Sequence, residues 1–294
     1  PECQMCFHFP VMPRIYYSLR SETASPILDV LADTPAIPAG AQWGTFLRNH
    51  DELTLEMVTD EERAAMYAWY APDPRMRANV GIRRRLAPLL DGDRAQLELI
   101  NAMVLSLPGS PCLYYGDEIG MGDNIWLPDR DASRTPMQWT SDRNAGFSTA
   151  DPGRLYLPVV SSVAFGYQAV NVEAQLASPA TFLHWIRDIL ATRKAHPVFG
   201  VGDFTPMSAS NPAILAFTRT SDEVTKGSAA VLSLANLAAT AQGATITLPG
   251  EYAGRDVVDL RGGQVLGTVG DDGSLTMTFA PRGYYWLDLR EGSS

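Results

Sequence analysis

The sequence of 294 residues has little of what marks disulfide-rich, membrane or nucleic-acid-binding proteins. Its three cysteines, Cys3, Cys6 and Cys112, are an odd number without the density of a disulfide scaffold, so reduced thiols are predicted rather than metal ligands. No apolar run approaches the ~20 residues of a membrane-spanning helix. With 23 basic against 33 acidic residues, the net charge near −10 repels phosphate backbones and anionic lipids. A cytoplasmic protein is expected, with no nucleic-acid or membrane partner.

Apolar residues are plentiful, at 46% against 19% charged, which suffices for one large domain or two smaller ones. The start of the chain is unusual, because residues 6–10 form an apolar run close behind Pro1. Such a run is typical of a short buried strand and not of the polar beginning of a domain. The sequence is therefore interpreted as a fragment of a longer protein.

The first two thirds of the chain alternate strand-like runs with helical patterns, which predicts an α/β fold with parallel strands. A helix is predicted over residues 93–107, with Asp93 as N-cap and Gln96 at the capping-box position. The strands are predicted at residues 5–9, 43–47 and 112–115. The apolar stripe of the helix consists of Leu97, Ile100, Met103, Val104 and Leu107.

Towards the C-terminus the pattern changes from helical to alternating. A second helix is predicted from Ser178, with Pro179 in its first turn, to about His196. Its buried face would consist of Phe182, Leu183, Ile186, Ile189 and Leu190. After residue 198, short apolar runs separated by turn residues predict an antiparallel β-sandwich. These strands are predicted at residues 213–220, 229–237, 244–248, 274–279 and 284–289.

Polar side chains follow the second predicted strand directly, over residues 48–52. In a barrel of parallel strands, this end of the strand carries the active site. The long irregular stretches at residues 52–91 and 116–157 also follow predicted strands, and loops of that size are usually functional or form small subdomains. Alternatively, Arg48 and Asp51 simply pair and the neighbouring histidine is a satisfied buried one.

Several segments in one order resemble the α-amylase superfamily of glycoside hydrolases. Residues 46–52 resemble its strand-seven motif and residues 114–120 its strand-eight motif. Residues 134–139 resemble a segment of its α-glucosidase and trehalose synthase branch. Strings that resemble the trehalose synthases in particular lie at residues 7–14, 78–88 and 153–158. The resemblance extends over essentially the whole chain.

For the fold, this resemblance implies the C-terminal part of a (β/α)₈ TIM barrel, comprising about strands 6 to 8, followed by an antiparallel β-sandwich. The partial barrel would occupy residues 1–197, with an inserted subdomain at about 53–92, and the sandwich residues 198–294. A complete barrel takes about 250 residues, so most of one would lie outside this chain.

For the site, the resemblance implies that Asp51 grips sugar hydroxyls and stabilises the oxocarbenium-like transition state, while His50 shares those contacts. A fixed carboxylate binds such hydroxyls more strongly as positive charge develops on the ring. Arg48, Arg134 and Trp126 are further candidate substrate contacts; for Arg48, an ion pair that holds the loop is the alternative, and Trp126 would stack on a sugar face.

Two other charged groups are expected to be structural. Asp117 and Glu118 lie at the end of the third predicted strand, where support of the fold is favoured over sugar contact. The arginine run at residues 83–85 is expected to form a solvated or interface-facing helix face rather than a phosphate site.

The activity implied by the resemblance is intramolecular glucosyl transfer that interconverts maltose and trehalose by a retaining mechanism, with minor hydrolysis to glucose. Such a mechanism needs a nucleophile and an acid/base carboxylate about 5 Å apart. The family takes these from strands four and five, which have no matching positions here, so the isolated chain is expected to be inactive. The alternatives are an α-glucosidase that hydrolyses α-glucosides, and a non-catalytic sugar-binding or assembly module.

The expected small-molecule partners are maltose, trehalose and glucose. No cofactor is required by the resemblance, and no metal-ligand spacing is present in the sequence. Calcium occurs in many relatives, although no ligands for it are identified here. A homo-oligomer is compatible with this architecture.

Overall fold

The computed structural model describes residues 3–38, 40–222 and 227–291 of the chain. The chain divides into two compact units. The first unit consists of Pro1–Thr45, Glu98–Pro111 and Ile189–Ser294, and the second of Phe46–Leu97 and Cys112–Asp188. These units are defined by compactness, and the boundaries at residues 197/198 and 53–92 stay predictions from the sequence.

A small sheet in the order β1–β2–β5 contains the strands that the first two thirds of the sequence predict. Its strands are β1, Met5–Phe7; β2, Gln42–Phe46; and β5, Ser110–Cys112. Strands β1 and β2 are parallel, with Met5 opposite Gln42 and Phe7 opposite Gly44. The chain between them forms helices α1, Val11–Ser21, and α2, Ser25–Ala32. A helical crossover between parallel strands confirms the predicted α/β pattern.

Two details of this sheet correct the sequence-based expectations. The first strand is exposed instead of buried: it lies at the edge of the sheet, and Met5 and Phe7 are 50% and 49% exposed. The third strand ends at Cys112 instead of continuing over residues 112–115. Aromatic residues favour strands, but Tyr114 and Tyr115 here pack their rings on a buried arginine, and Gly116 turns the chain with a φ of 86°.

The helix predicted over residues 93–107 is α5, Arg94–Ser106. Its N-cap is confirmed, because the Asp93 carboxylate accepts a hydrogen bond from the Gln96 backbone N–H at 2.9 Å. The predicted stripe is also confirmed, and each of its five side chains is at most 4% exposed.

The second predicted helix, α7, begins at Phe182 rather than at Ser178 and ends at Ala195. Its start is delayed because the Gln175 side chain accepts from the Leu183 backbone N–H at 3.0 Å and so caps the helix. The Thr181 hydroxyl reinforces this turn by donating to the Gln175 carbonyl at 2.9 Å. Of the predicted face, Phe182, Ile186 and Ile189 are buried, while Leu183 and Leu190 are half-buried.

The remaining part of the second unit is made of short elements joined by long loops. A capping box begins α3, in which Thr59 accepts from the Glu62 backbone N–H at 3.2 Å and Glu62 accepts from that of Thr59 at 2.8 Å. The elements are β3, Leu53–Thr54; α3, Asp60–Tyr70; β4, Gly81–Ile82; α4, Leu86–Leu89; and α6, Val172–Leu176. Single 3₁₀ turns form at Asp117–Ile119, Asp129–Ser133, Arg143–Gly146 and Pro152–Arg154.

The C-terminal part of the chain forms the predicted antiparallel sandwich. After the short helix α8, Val198–Val201, one sheet has the order β12–β11–β14–β9–β8–β6 and the other β13–β10–β7. The strands are β6, Asp203–Pro206; β7, Ser208–Ala209; β8, Ile214–Thr220; β9, Ala230–Asn236; β10, Gln242–Thr247; β11, Asp256–Asp259; β12, Val265–Thr268; β13, Ser274–Phe279; and β14, Tyr284–Arg290.

All five strands predicted for this sandwich are confirmed. The alternation on β13 holds, with Leu275, Met277 and Phe279 buried in a core to which both sheets contribute. Strands β6, β7, β11 and β12 were not predicted, because each is too short to display a period of two residues. Among the described residues, no helix has the length and apolar character needed to cross a bilayer.

Candidate active site

The loop after β2 carries Asp51, and the second unit surrounds its carboxylate with two guanidinium groups. Asp51 Oδ1 accepts from Arg134 Nη2 at 3.0 Å and from Arg130 Nη1 at 3.4 Å. His50 Nε2 lies 3.5 Å from Asp51 Oδ2, and Arg134 Nε donates to the His50 carbonyl at 2.8 Å. The structure therefore brings three of the predicted site residues, Asp51, His50 and Arg134, into direct contact.

The Asp51 carboxylate is both fixed and accessible. Arg134 binds the backbone of one residue and the side chain of the next, which orients the loop as well as the carboxylate. The side chains of Asp51 and His50 are still 42% and 65% exposed. A carboxylate has about four lone-pair sites, so the two arginine contacts leave acceptor capacity for hydroxyl groups of a ligand.

Arg48 lies beneath this loop and is only 2% exposed. Its Nη2 donates to the Asp51 carbonyl at 2.7 Å, and its Nε donates to the Arg84 carbonyl at 2.6 Å. The Asn49 side chain accepts from the Asp51 backbone N–H at 2.9 Å. Both backbone polar groups of Asp51 are thereby held. These contacts hold the loop through main-chain carbonyls, while an ion pair of Arg48 and its direct contact with a sugar both stay predictions.

Trp126 is 74% exposed, and its described contacts are with Arg75 and Asn124. The Arg75 guanidinium lies 3.8 Å from the centroid of the Trp126 ring and covers one of its faces. Trp126 also lines a cavity of about 390 Å³ together with Arg84 and Asp123. Stacking of Trp126 on a sugar stays a prediction.

The arginine run at residues 83–85 corrects the sequence-based expectation of a solvated helix face. The run precedes α4, and Arg83 and Arg85 are 8% and 0% exposed. Arg83 donates to the carbonyls of Leu127 and Ile125 at 2.6 and 3.2 Å, and also to that of Asp129. Carbonyls in an irregular loop have few partners in helices or strands, so the Arg83 guanidinium supplies hydrogen-bond donors to them.

The other two arginines of the run bind carboxylates. Arg84 Nε donates to Asp123 Oδ2 at 2.8 Å, and this oxygen also accepts from the Arg85 backbone N–H at 2.8 Å. Arg85 Nη1 lies 3.5 Å from Asp117 Oδ1. The Asp117 side chain is buried, and this burial raises its pKa to about 7 although the charges of Arg85 and Arg48 favour the ionised form.

A cavity of about 490 Å³ opens beside Arg134, within the size range of small-molecule sites. Its lining is mainly apolar and includes the aromatic side chains of Tyr115, Trp139, Phe147 and Tyr156, beside the charged groups of Glu118 and Arg134. No sequence pattern predicts this cavity, and Arg130 belongs to a charged cluster that the sequence favours as a loop-stabilising network rather than a direct ligand set. The only signal for them was the density of charged residues at 129–134 next to aromatic ones.

Metal ligands are the remaining question for this site. Over residues 3–38, 40–222 and 227–291, no group of three or more His, Cys, Asp and Glu side chains is arranged to hold a metal ion. Cys3, Cys6 and Cys112 are free thiols. Calcium binding stays a prediction from the resemblance, without ligands to name.

Family profiles match both parts of the chain. The profile described as "Alpha amylase, catalytic domain" matches residues 83–202, and that described as "Maltogenic Amylase, C-terminal domain" matches residues 204–286. The first match includes Arg130 and Arg134, and it ends shortly before the sandwich begins.

Curated relatives match nearly the whole chain. It is 57% identical to the trehalose synthase/amylase of Mycolicibacterium smegmatis, over 99% of this chain and 49% of that protein. It is 54% identical to the trehalose synthase of Pimelobacter sp. (strain R48), over 99% of this chain and 50% of that protein. The chain thus spans about half the length of these relatives.

Among solved structures, the α-amylase from H. orenii is similar over 98% of this chain and 49% of that one, with a TM-score of 0.66 and 18% sequence identity. At this identity the similarity concerns the fold alone, which is part of an amylase-type TIM barrel followed by a β-sandwich. The assignment of β1, β2 and β5 to barrel strands 6 to 8 stays a prediction.

Proposed function

Because the chain belongs to the trehalose synthase branch of the α-amylase family, we propose that it provides the sugar-holding side of a site that interconverts maltose and trehalose. The observation that carries the proposal is the Asp51 carboxylate, which Arg134 and Arg130 orient while it stays 42% exposed. His50 beside it would share the hydroxyl contacts. The substrates would be maltose and trehalose, with glucose as the transient acceptor, and no cofactor is proposed.

In the proposed reaction, the bond between the reacting sugar carbon and the bridging oxygen breaks while positive charge develops on the ring. Hydroxyls next to that carbon become more acidic, so Asp51 binds them more strongly in the transition state than in the ground state. Because Arg134 and Arg130 already hold the carboxylate, little reorganisation is needed when this charge develops.

The glucosyl unit would then bond to a nucleophilic carboxylate, and the freed glucose would take the proton from an acid/base carboxylate. Return of the glucosyl unit to the anomeric hydroxyl of that glucose gives trehalose, and the proton goes back to the acid/base group. We assign neither carboxylate to a residue of this chain. Attack by water in place of glucose would give the minor hydrolysis.

A complementation assay tests this proposal. The full 294-residue chain would be mixed with the stretch of the Mycolicibacterium smegmatis relative that lies outside the match, and trehalose and glucose formed from maltose would be quantified. We expect the mixture to form trehalose and the chain by itself to form none. Glucose without trehalose would favour the α-glucosidase alternative, and trehalose from the chain alone would contradict the proposal that neither carboxylate belongs to this chain.

The decisive variant is Asp51→Asn, which keeps the size of the side chain but removes the anionic acceptor. We expect kcat in the mixture to fall on the order of 100-fold or more, with a smaller change in KM, since the contact strengthens in the transition state. Asp60→Asn is the matched control, because the Asp60 side chain is 89% exposed in the same unit. Equal activity of the two variants would show that Asp51 is not part of the site.

A further inference from the structure

The segment that carries Arg134 is held on both sides by two adjacent tyrosines. Tyr115 Oη donates to the Thr135 carbonyl at 2.7 Å, and Tyr114 Oη donates to the Ser133 carbonyl at 3.2 Å. These carbonyls belong to the residues immediately before and after Arg134. Ser133 and Thr135 are 1% and 0% exposed, so the backbone here is enclosed and its position is well defined.

The two tyrosines are themselves fixed by Arg85. The guanidinium carbon of this fully buried arginine lies 4.7 Å from the Tyr114 ring centroid and 4.5 Å from that of Tyr115. Arg85 Nη1 also donates to the Tyr115 carbonyl at 2.6 Å. The two rings contact each other edge to face, with centroids 4.7 Å apart. Cation–π contacts and ring packing therefore set the direction of both hydroxyls.

We propose that Tyr114 and Tyr115, held by Arg85, are positioning residues that set the geometry of Arg134 and, through it, of the Asp51 carboxylate. The path is continuous: the hydroxyls hold the backbone around Arg134, and the Arg134 guanidinium holds the His50 carbonyl at 2.8 Å and Asp51 Oδ1 at 3.0 Å. The consequence for turnover rests on the proposed function, whereas the effect on Arg134 does not.

The hydroxyl groups are the part of these side chains that a purely space-filling role would not need. Tyr115 is 38% exposed and Tyr114 is half-buried, so phenylalanine rings would occupy the same places. The Tyr114 hydroxyl is protonated at neutral pH and can donate, and burial raises its pKa further above the ordinary value of 10.0. If a side chain in an active site is held less rigidly, kcat falls even when the substrate still binds. Small displacements of that side chain matter most in the transition state.

The test uses Tyr115→Phe and Tyr114→Phe in the full chain, assayed in the complementation mixture. Each variant keeps the ring on Arg85 and removes one hydrogen bond. We expect kcat to fall roughly 10-fold with little change in KM or in melting temperature. Tyr67→Phe is the matched control, because the Tyr67 ring also packs on an arginine, with the Arg77 guanidinium carbon 4.4 Å from its centroid, and Tyr67 lies in the same unit outside the cavity beside Arg134.

A double-mutant cycle separates positioning from general support of the fold. In an Arg134→Gln background, Tyr115→Phe should have no further effect on kcat, because its action passes through Arg134. A full additional loss in that background, or a Tyr115→Phe variant as active as Tyr67→Phe, would overturn the inference.

An NMR readout keeps the two proposals distinguishable. The Nε–H resonance of Arg134 reports its bond to the His50 carbonyl, and Tyr115→Phe should shift this resonance and speed its solvent exchange. If the resonance responds but Asp51→Asn leaves turnover unchanged, the proposed function fails and the positioning of Arg134 stands. If the resonance does not respond, the positioning inference fails whatever the activity.

Discussion

Among the individual residues, Asp117 has the clearest link between burial and pH. Burial raises its folded pKa to about 7 from an ordinary value of 3.8, against the opposing charges of Arg85 and Arg48 and with a smaller raising effect from Glu118. A carboxyl group with a raised folded pKa binds its proton more tightly in the folded state than in the unfolded state. Its contribution to stability is therefore complete below about pH 4 and is lost as pH rises to about 7.

We expect the chain to lose stability through this group between pH 4 and 7, by on the order of 1 kcal/mol for each pH unit. Asp117→Asn replaces the titrating group with a neutral one of similar shape, so its stability should vary less over this window. Chemical denaturation of both proteins at pH 5 and 7.5 measures the difference. Identical pH slopes for the two proteins would contradict the prediction.

The same residues show how far sequence reasoning goes. The polar residues after β2 can be recognised from the sequence, because active-site residues of a barrel lie at the carboxyl ends of its strands. In the structure, Asp51 contacts both His50 and Arg134. The hydrogen bonds from the arginine run at residues 83–85 to the neighbouring loop could not be predicted from the sequence. An arginine run in an acidic protein is most often solvated, and only the fold reveals that the carbonyls of the 125–129 loop need these donors.

At the scale of elements, termini were predicted well where a single local interaction decides them. Helix α5 begins where Asp93 caps it, since the carboxylate and the N–H it accepts from lie three residues apart. Helix α7 begins later than predicted because its cap, Gln175, precedes it by several residues and belongs to α6. A side chain that caps across an intervening turn leaves no local pattern in the sequence.

The cap of α5 gives a testable energy. Asp93→Ala should destabilise the chain by about 1 kcal/mol, because one N–H of the first turn loses its acceptor. Asp93→Ser restores an acceptor at the same position and should recover most of this loss. The free energy of unfolding from denaturant titration measures both variants, and equal stabilities for Ala and Ser would show that the cap contributes nothing.

At the scale of the whole molecule, the exposed edge of β1 is the feature that most favours association with other chains. Met5 and Phe7 are about half exposed on a strand with a partner on one side only among the described residues. Apolar edge strands pair readily with other chains. The 294-residue chain is therefore expected to associate as its concentration rises.

Phe7→Lys should reduce this association, because a charged side chain on an edge strand opposes pairing with another strand. Light scattering across a concentration series measures the effect. The matched control is Tyr156→Lys, which adds the same charge at a 92% exposed aromatic outside any strand. If both variants lower the association equally, the cause is the added charge and not the edge of β1.

The guanidinium and phenol groups around Asp51 bind mostly main-chain carbonyls, namely those of residues 50, 51, 84, 125, 127, 133 and 135. Every residue type has a main-chain carbonyl, so these hydrogen bonds do not require particular side chains at those positions. Ile125 and Leu127 are only partly buried and are therefore suitable positions for a directed-evolution library. Substitutions there leave the main-chain acceptors of the Arg83 guanidinium in place.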